Sequence, residues 1–384
     1  MRQIAYPAAL GSCCALGAGI APVRAAEWLL TPTYSASADY VNNRRLVLTH
    51  DSSESAVLAV DLKFEKALED MQFFLEPRYS FRRFSDRTLG NGDDRSVSGG
   101  ITWTGEKSLL NLTANYWDQS TLFTEVLESG IITGDTHRRM EQAAANYIFG
   151  QTELRSLIAQ VSYQGVKYYG EGAEFLPGYR YESGSLGERF TLNERGSVAV
   201  SAYGSLLQSD AKGGSSHSIG LQAELIYQLT ERINLDASLG ESSRVLSGES
   251  SSGTDASITL SRQMLLGRMS VAYTRSLVPY GSGFLVARQQ YTASFTHALT
   301  PTIDTTLSVL RFQNNETAVL LRIDRRSLNS ASWVLSWHPT ETWQAGWRIE
   351  GIQSQLPTLE GQRVTAWNTS VSLVWTPRPK PRSW

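Results

Sequence analysis

The sequence predicts an all-β fold: a single transmembrane antiparallel up-and-down β-barrel of about 18 strands, within a range of about 16 to 20. Three observations predict it. Apolar residues recur at every second position from about residue 55 to Trp375. Short turns alternate with longer polar loops at a spacing of about 35 to 45 residues, enough for two ~10-residue spanning strands and one loop. The chain opens on a segment built like a secretion signal.

That opening segment has a basic start at Arg2, an apolar stretch from Ile4 to Ile20, and Val23-Arg24-Ala25 at the place of a cleavage site. Residues 1–25 are therefore expected to be a signal peptide that is removed. Cys13 and Cys14 leave with it, so the mature chain carries no thiol for a disulfide or a cysteine-ligated metal. Loss of Arg2 and Arg24 from the 35 basic residues leaves 33 against 37 acidic ones, a net charge of −4. Without a basic excess, nucleic acid is not an expected partner. No later stretch reaches the eighteen uninterrupted apolar residues of a spanning helix. The mean hydropathy of −0.24 suits a barrel, because only half of each strand faces lipid.

The mature chain reads as one domain, residues 26–376, with a short proline-rich tail over residues 377–384. A first strand is expected near Trp28 to Asp39. Ala56, Leu58, Val60, Leu62 and Phe64 then alternate with Val57, Ala59, Asp61, Lys63 and Glu65. Met71, Phe73, Leu75, Pro77, Tyr79 and Phe81 alternate with Gln72, Phe74, Glu76, Arg78, Ser80 and Arg82. Further on, Ile219, Leu221, Ala223, Leu225, Tyr227 and Leu229 face away from Ser218, Gly220, Gln222, Glu224 and Gln228. Successive side chains on a strand point to opposite faces, so one face is apolar and the other wet. Tyr179 and Tyr181 break parity with Phe190 and Leu192, which points to a bulge or a miscounted strand. A last strand runs near Val364 to Trp375.

Eight short turns are expected near Lys66–Glu69, Gly105–Lys107, Gly150–Glu153, Asn193–Gly196, Thr230–Arg232, Leu266–Arg268, Thr300–Thr302 and Pro339–Glu341. The long connections are Ser85–Asp94, Gln119–Arg138, Tyr169–Gly178, Gln208–Ser216, Leu246–Thr254, Asn314–Arg325 and Gln353–Arg363. Val319, Leu321 and Ile323 alternate inside one of them and can extend its neighbouring strands. Short turns on the periplasmic side and long loops outside are the asymmetry of outer-membrane barrels. Trp333, Trp337, Trp343 and Trp347 gather at one short turn, where an indole meets both lipid and water.

With this order of elements, the Trp28-Leu-Leu-Thr-Pro-Thr-Tyr-Ser35 opening, the Asp39-Tyr-Val-Asn-Asn43 segment, the Tyr179-Arg-Tyr181 strand and the Leu229-Thr-Glu-Arg-Ile-Asn-Leu235 turn, the chain resembles the outer-membrane barrels associated with exosortase and exopolysaccharide loci of Gram-negative bacteria. The resemblance implies outer-membrane residence and a part in polysaccharide export. Barrels of that kind end on an aromatic residue read by the barrel assembly machinery. Here Pro377-Arg-Pro-Lys-Pro-Arg382 precedes Trp384, and such a run is expected to stay out of a ladder. The assembly signal is then the Val371, Leu373, Trp375 row.

Nothing in the sequence composes an active site or calls for a cofactor. His50, His137, His217, His297 and His338 show no metal spacing. Ser215-Ser-His-Ser218 lacks a local carboxylate or amide to orient an imidazole. Asp86, Asp93 and Asp94 lie close but lack the distal bidentate glutamate of a calcium loop. The functional residues are instead expected on the inward face: Asp61, Lys63, Glu65, Glu76, Arg78, Arg82, Arg189, Glu224, Asp236, Arg288, Arg348 and Glu350. Placed against lipid they would be costly, so they should line a pore. Arg262, Arg275 and Arg311 fall on apolar rows and are expected near interfaces or out of register. A barrel of this strand number leaves an aqueous channel unless plugged. Its expected function is non-enzymatic passage of a polysaccharide or of polar solutes. A structural or assembly module that binds a partner, and a barrel-borne lipid hydrolase, are the alternatives.

Overall fold

Strands with one greasy and one polar face need an apolar medium on one side only, and closing the sheet on itself meets that need without an open edge. The computed structural model describes residues 28–48, 52–86, 89, 91–128, 136–211, 215–246, 249–281, 283–315, 326–355, 362–378 and 380–382. The expected signal peptide, His50 and the alternating Val319, Leu321 and Ile323 lie outside the described residues.

The first nine strands are β1 (Trp28–Val41), β2 (Ser53–Ala67), β3 (Met71–Phe84), β4 (Gly92–Thr104), β5 (Ser108–Ser120), β6 (Thr136–Gly150), β7 (Arg155–Gly170), β8 (Tyr179–Asn193) and β9 (Gly196–Ser209). The rest are β10 (Ser216–Thr230), β11 (Ile233–Leu246), β12 (Glu249–Met264), β13 (Gly267–Pro279), β14 (Leu285–Thr300), β15 (Ile303–Asn315), β16 (Ser327–Trp337), β17 (Trp343–Gln355) and β18 (Arg363–Trp375). A helix, α1 (Thr121–Glu128), lies between β5 and β6. Each strand pairs antiparallel with the next, and β1 closes the ring on β18, with Tyr34 opposite Trp375 and Val41 opposite Asn368. All eight expected short turns fall at or within two residues of a β2–β3, β4–β5, β6–β7, β8–β9, β10–β11, β12–β13, β14–β15 or β16–β17 junction.

The ring decides which face is which. Leu58, Ile219, Leu221 and Leu239 are 63–67% exposed, while their strand neighbours Val57, Ala59 and Ser218 are buried. Along these strands the more exposed side chains are thus the apolar ones, as a wall bathed in lipid requires. Aromatic rings gather on this outer face near the periplasmic ends: Tyr34 stacks on Trp375 at 5.4 Å, Trp343 on Trp375 at 5.9 Å, and Trp333 meets Trp347 edge-on at 5.3 Å. The indole N–H of Trp333 donates to Thr305 Oγ1 at 2.7 Å, and that of Trp347 to Thr369 Oγ1 at 3.0 Å.

Three expectations are corrected. Leu246–Thr254 is not a long loop: β12 starts at Glu249, and Val245 already pairs with Ser250. Its serines imitate turn composition, but a strand whose inward side chains are small and polar reads the same way. The proline run does return to the ladder, where β19 (Lys380–Arg382) pairs with Trp28–Leu30. An antiparallel ladder asks each strand for an N–H only at alternate residues, so a proline in the other register costs no bond. Tyr179 and Tyr181 need no bulge to explain their parity. They face inward, where Tyr179 is buried against Val166, Leu207 and Leu285, whereas Leu186 and Leu192 on the other parity face out. A register shift does occur in β8, but at Thr191/Asn193 beside the turn.

Candidate functional site

The inner wall is built from inward side chains that the pleat supplies at alternate positions. Parity puts all twelve sequence-predicted residues on it, but they do not converge on one point. They form local contacts around the ring. Arg78 Nη1 donates to Asp61 Oδ2 at 3.4 Å, the two sitting opposite each other on β3 and β2. Lys63 Nζ lies 2.6 Å from Glu65, and Arg348 Nη2 lies 3.1 Å from Glu350, each pair two residues apart on one strand. Glu76 shares the inward row of β3 with Arg78 and Arg82. Arg189 Nη2 donates to Glu224 Oε2 at 3.4 Å across the intervening β9, where the buried Ala199 is small enough to let them meet. Asp236 lies diagonal to Glu224 on β11, one inward step from its register partner Ser238. Arg288 Nε donates to Asn314 Oδ1 at 2.9 Å, with its guanidinium 4.5 Å from the Phe312 ring centroid.

Sequence reading missed the feature that narrows the mouth. Gln119–Arg138 is not a polar loop throughout, because it contains α1. Ser120 Oγ accepts from the N–H of Leu122 at 3.3 Å, which caps the first turn. The helix folds into the barrel. Leu122 packs in a buried cluster with Leu46, Val364 and Ala366, joined by Phe84, Phe123 and Ile352. The Phe123 ring stacks on Phe84 at 6.0 Å and lies 3.8 Å beneath the Arg82 guanidinium. At the other side, Glu125 is fully buried, accepting from Tyr168 Oη at 2.8 Å with Arg138 Nη1 at 3.5 Å. The helix therefore ties β3, β17 and β18 to β6 and β7, walls that are not neighbours in the sheet. Under it, Arg44 pairs with Asp39 and donates to Ser53 Oγ at 2.6 Å, while Ser55 donates to Asp39. The apolar pair Leu122-Phe123, repeated four residues later as Val126-Leu127, was the helical signal available in the sequence.

A second inward element is the β13–β14 tip. Gly283 takes φ +79°, and a Cβ there would meet Ser209 Oγ at 2.1 Å and Pro177 Cγ at 2.9 Å. Leu285 is buried against Val166, Tyr179 and Leu207. Three strands, β10 to β12, separate β13 from β9, so this contact is made across the mouth. Between them lies a partly buried network: Asp255 receives Arg244 Nη2 at 2.7 Å, Tyr203 Oη at 2.6 Å and Ser242 Oγ at 3.2 Å. Local pattern does not mark Arg244 and Asp255, because the Ser-rich segment between them has the composition of a loop.

Other candidate groups are dispersed. His217 points outward and is exposed, whereas Ser216 and Ser218 beside it are buried on the inward face. Asp93 and Asp94 also face opposite ways, Asp93 pairing with Arg95 at 2.6 Å and Asp94 accepting from the Ser120 N–H at 3.2 Å. His338 lies at a short turn, 2.9 Å from Asp304.

No protein-family model matches the chain. No curated protein matches it by sequence. Among solved structures it is similar in fold to Pseudomonas aeruginosa OpdQ (TM-score 0.50, 9% identity, covering 92% of this chain and 99% of that one). It is likewise similar to P. aeruginosa OccK7 (OpdD) (0.50, 10%, 92% and 99%) and OccK5 (OpdH) (0.50, 9%, 91% and 98%). With its apolar exterior, aromatic girdle and closed ladder, the chain is an eighteen-stranded antiparallel β-barrel of the bacterial outer membrane.

Proposed function

We propose that the barrel is a pore for polar solutes, lined by Asp61, Lys63, Glu65, Glu76, Arg78, Arg82, Arg189, Glu224, Asp236, Arg288, Arg348 and Glu350 and narrowed at its mouth by α1 and the β13–β14 tip. The observation that carries this reading is the inner wall itself. Charges of both signs are paired along the wall rather than across it, as in Lys63–Glu65 and Arg348–Glu350. Pairs of that kind hydrate a lumen without bridging it. Single-channel recording in planar bilayers tests the proposal: discrete, ohmic steps are expected, and their absence from a folded barrel would refute an open pore.

The narrower form of the proposal is passage of an exopolysaccharide, supported by the resemblance carried by residues 28–35, 39–43, 179–181 and 229–235. Deletion of the gene should then lower surface polysaccharide, and an unchanged amount removes this form while leaving the pore intact. The second reading is a binding or assembly module. It is favoured by the way α1 and the β13–β14 tip both fold into the mouth, and a folded barrel that shows no conductance would select it.

A further inference from the structure

The outward face of the barrel is asymmetric in charge. On β4 to β8 three of its cations meet carboxylates: Arg95 lies 2.6 Å from Asp93, Arg139 3.6 Å from Asp118 and Arg155 2.9 Å from Glu188. On the strands from β13 to β18 the described outward residues include no carboxylate, yet Arg275 and Arg311 stand there. Neither makes an ion pair among the described residues, and Arg275 Nε is buried without a hydrogen-bond partner.

Register fixes their height. Arg275 is eight residues above the periplasmic start of β13, Arg311 eight above that of β15, and Asn329 eight above the end of β16. Eight steps of ~3.4 Å at a tilt of ~40° place this band about 21 Å up, close to the outer edge of an apolar belt ~25 Å tall. Tyr291 pairs directly with Arg311 and Gln289 with Arg275, so β14 fills the space between the two arginines with hydrogen-bonding groups. One residue pair lower, the row Ala293–Val309–Ala331 is apolar. Two cations held two strands apart, about 10 Å, at the boundary of hydrocarbon and headgroup need an anion from the lipid side. Guanidinium binds phosphate through paired N–H donors.

We infer that Arg275 and Arg311, with Gln289, Tyr291 and Asn329, form a binding site for the phosphate of an outer-leaflet glycolipid. The test is native mass spectrometry of the detergent-purified barrel mixed with equal amounts of bisphosphorylated lipid A and phosphate-free lipid A. The wild type should retain the phosphorylated lipid preferentially. Arg275→Gln with Arg311→Gln, which removes two charge-assisted contacts, should lower that retention by about tenfold or more. Arg155→Gln, on the periplasmic half, should leave it unchanged, and Arg275→Lys with Arg311→Lys should keep most of it. A heat-modifiable band on a denaturing gel checks that each variant is folded. Equal retention by the glutamine pair, no preference for phosphate in the wild type, or full displacement of the lipid by inorganic phosphate would each overturn the assignment.

Discussion

Glu125 is the residue on which the narrowing of the mouth turns. Its carboxylate is fully buried between Tyr168 and Arg138, and Arg138 is itself only 4% exposed. Glu125→Gln keeps the shape and removes the charge that faces the buried Arg138 guanidinium, and breaking a buried pair of this kind costs about 3–5 kcal/mol. What still holds α1 is the Leu122 cluster, worth about 1.5–3 kcal/mol, and the Phe123 ring between Phe84 and Arg82, worth about 1.5–3 kcal/mol for one stacked pair and one cation–π contact. Docked and released helices should then be comparably populated, and Phe123→Ala added to Glu125→Gln should release the helix outright. The consequence for the lumen follows from size. Eighteen strands at ~4.8 Å spacing and ~40° tilt enclose a backbone circle about 36 Å wide, or about 26 Å after side chains are allowed for. An eight-residue helix covers about 12 by 10 Å of that opening, a little under a quarter. Single-channel conductance in molar potassium chloride should therefore show two flickering levels in Glu125→Gln. In the double variant it should show one level about 1.3-fold above wild type, as scaling with open area dictates. Identical conductance histograms for wild type and a folded double variant would refute the view that α1 narrows the pore.

Gly283→Ala places a methyl on a left-handed backbone against Ser209 and Pro177, so the β13–β14 tip should leave the mouth, seen as faster proteolysis near residue 283 with the barrel's thermal transition unchanged. Leu221→Arg, at a lipid-facing site 66% exposed, should cost about 2–4 kcal/mol of folding free energy in lipid vesicles. Glu224→Gln, three residues along on the opposite face of the same strand, should cost less than Leu221→Arg in that titration; equal costs would mean the two faces are misassigned. Truncation after Trp375 removes the neighbour of Trp28–Leu30 and should slow appearance of the heat-modifiable band during assembly, while a rate equal to wild type would show that β19 takes no part.

The sequence by itself determined what depends on period two and on turn chemistry. Ala56 to Phe64 and Ile219 to Leu229 declared their apolar face through local alternation, and the eight short turns marked the junctions that make eighteen strands. The inward parity of Asp61, Glu224 and Arg348 followed from the same rule, because a strand cannot turn one side chain without turning its neighbours. Only the tertiary structure decided what crosses the ring. Glu125 meets Tyr168 over a separation of 43 residues, Arg82 covers Phe123, and Leu285 reaches Tyr179, and none of these contacts has a period. The same holds for β12 and β19: their serines and prolines are tolerated because a neighbouring strand supplies the ladder and fixes the register. Local pattern sets which way each side chain points, whereas closure of the barrel sets which distant side chains then face one another.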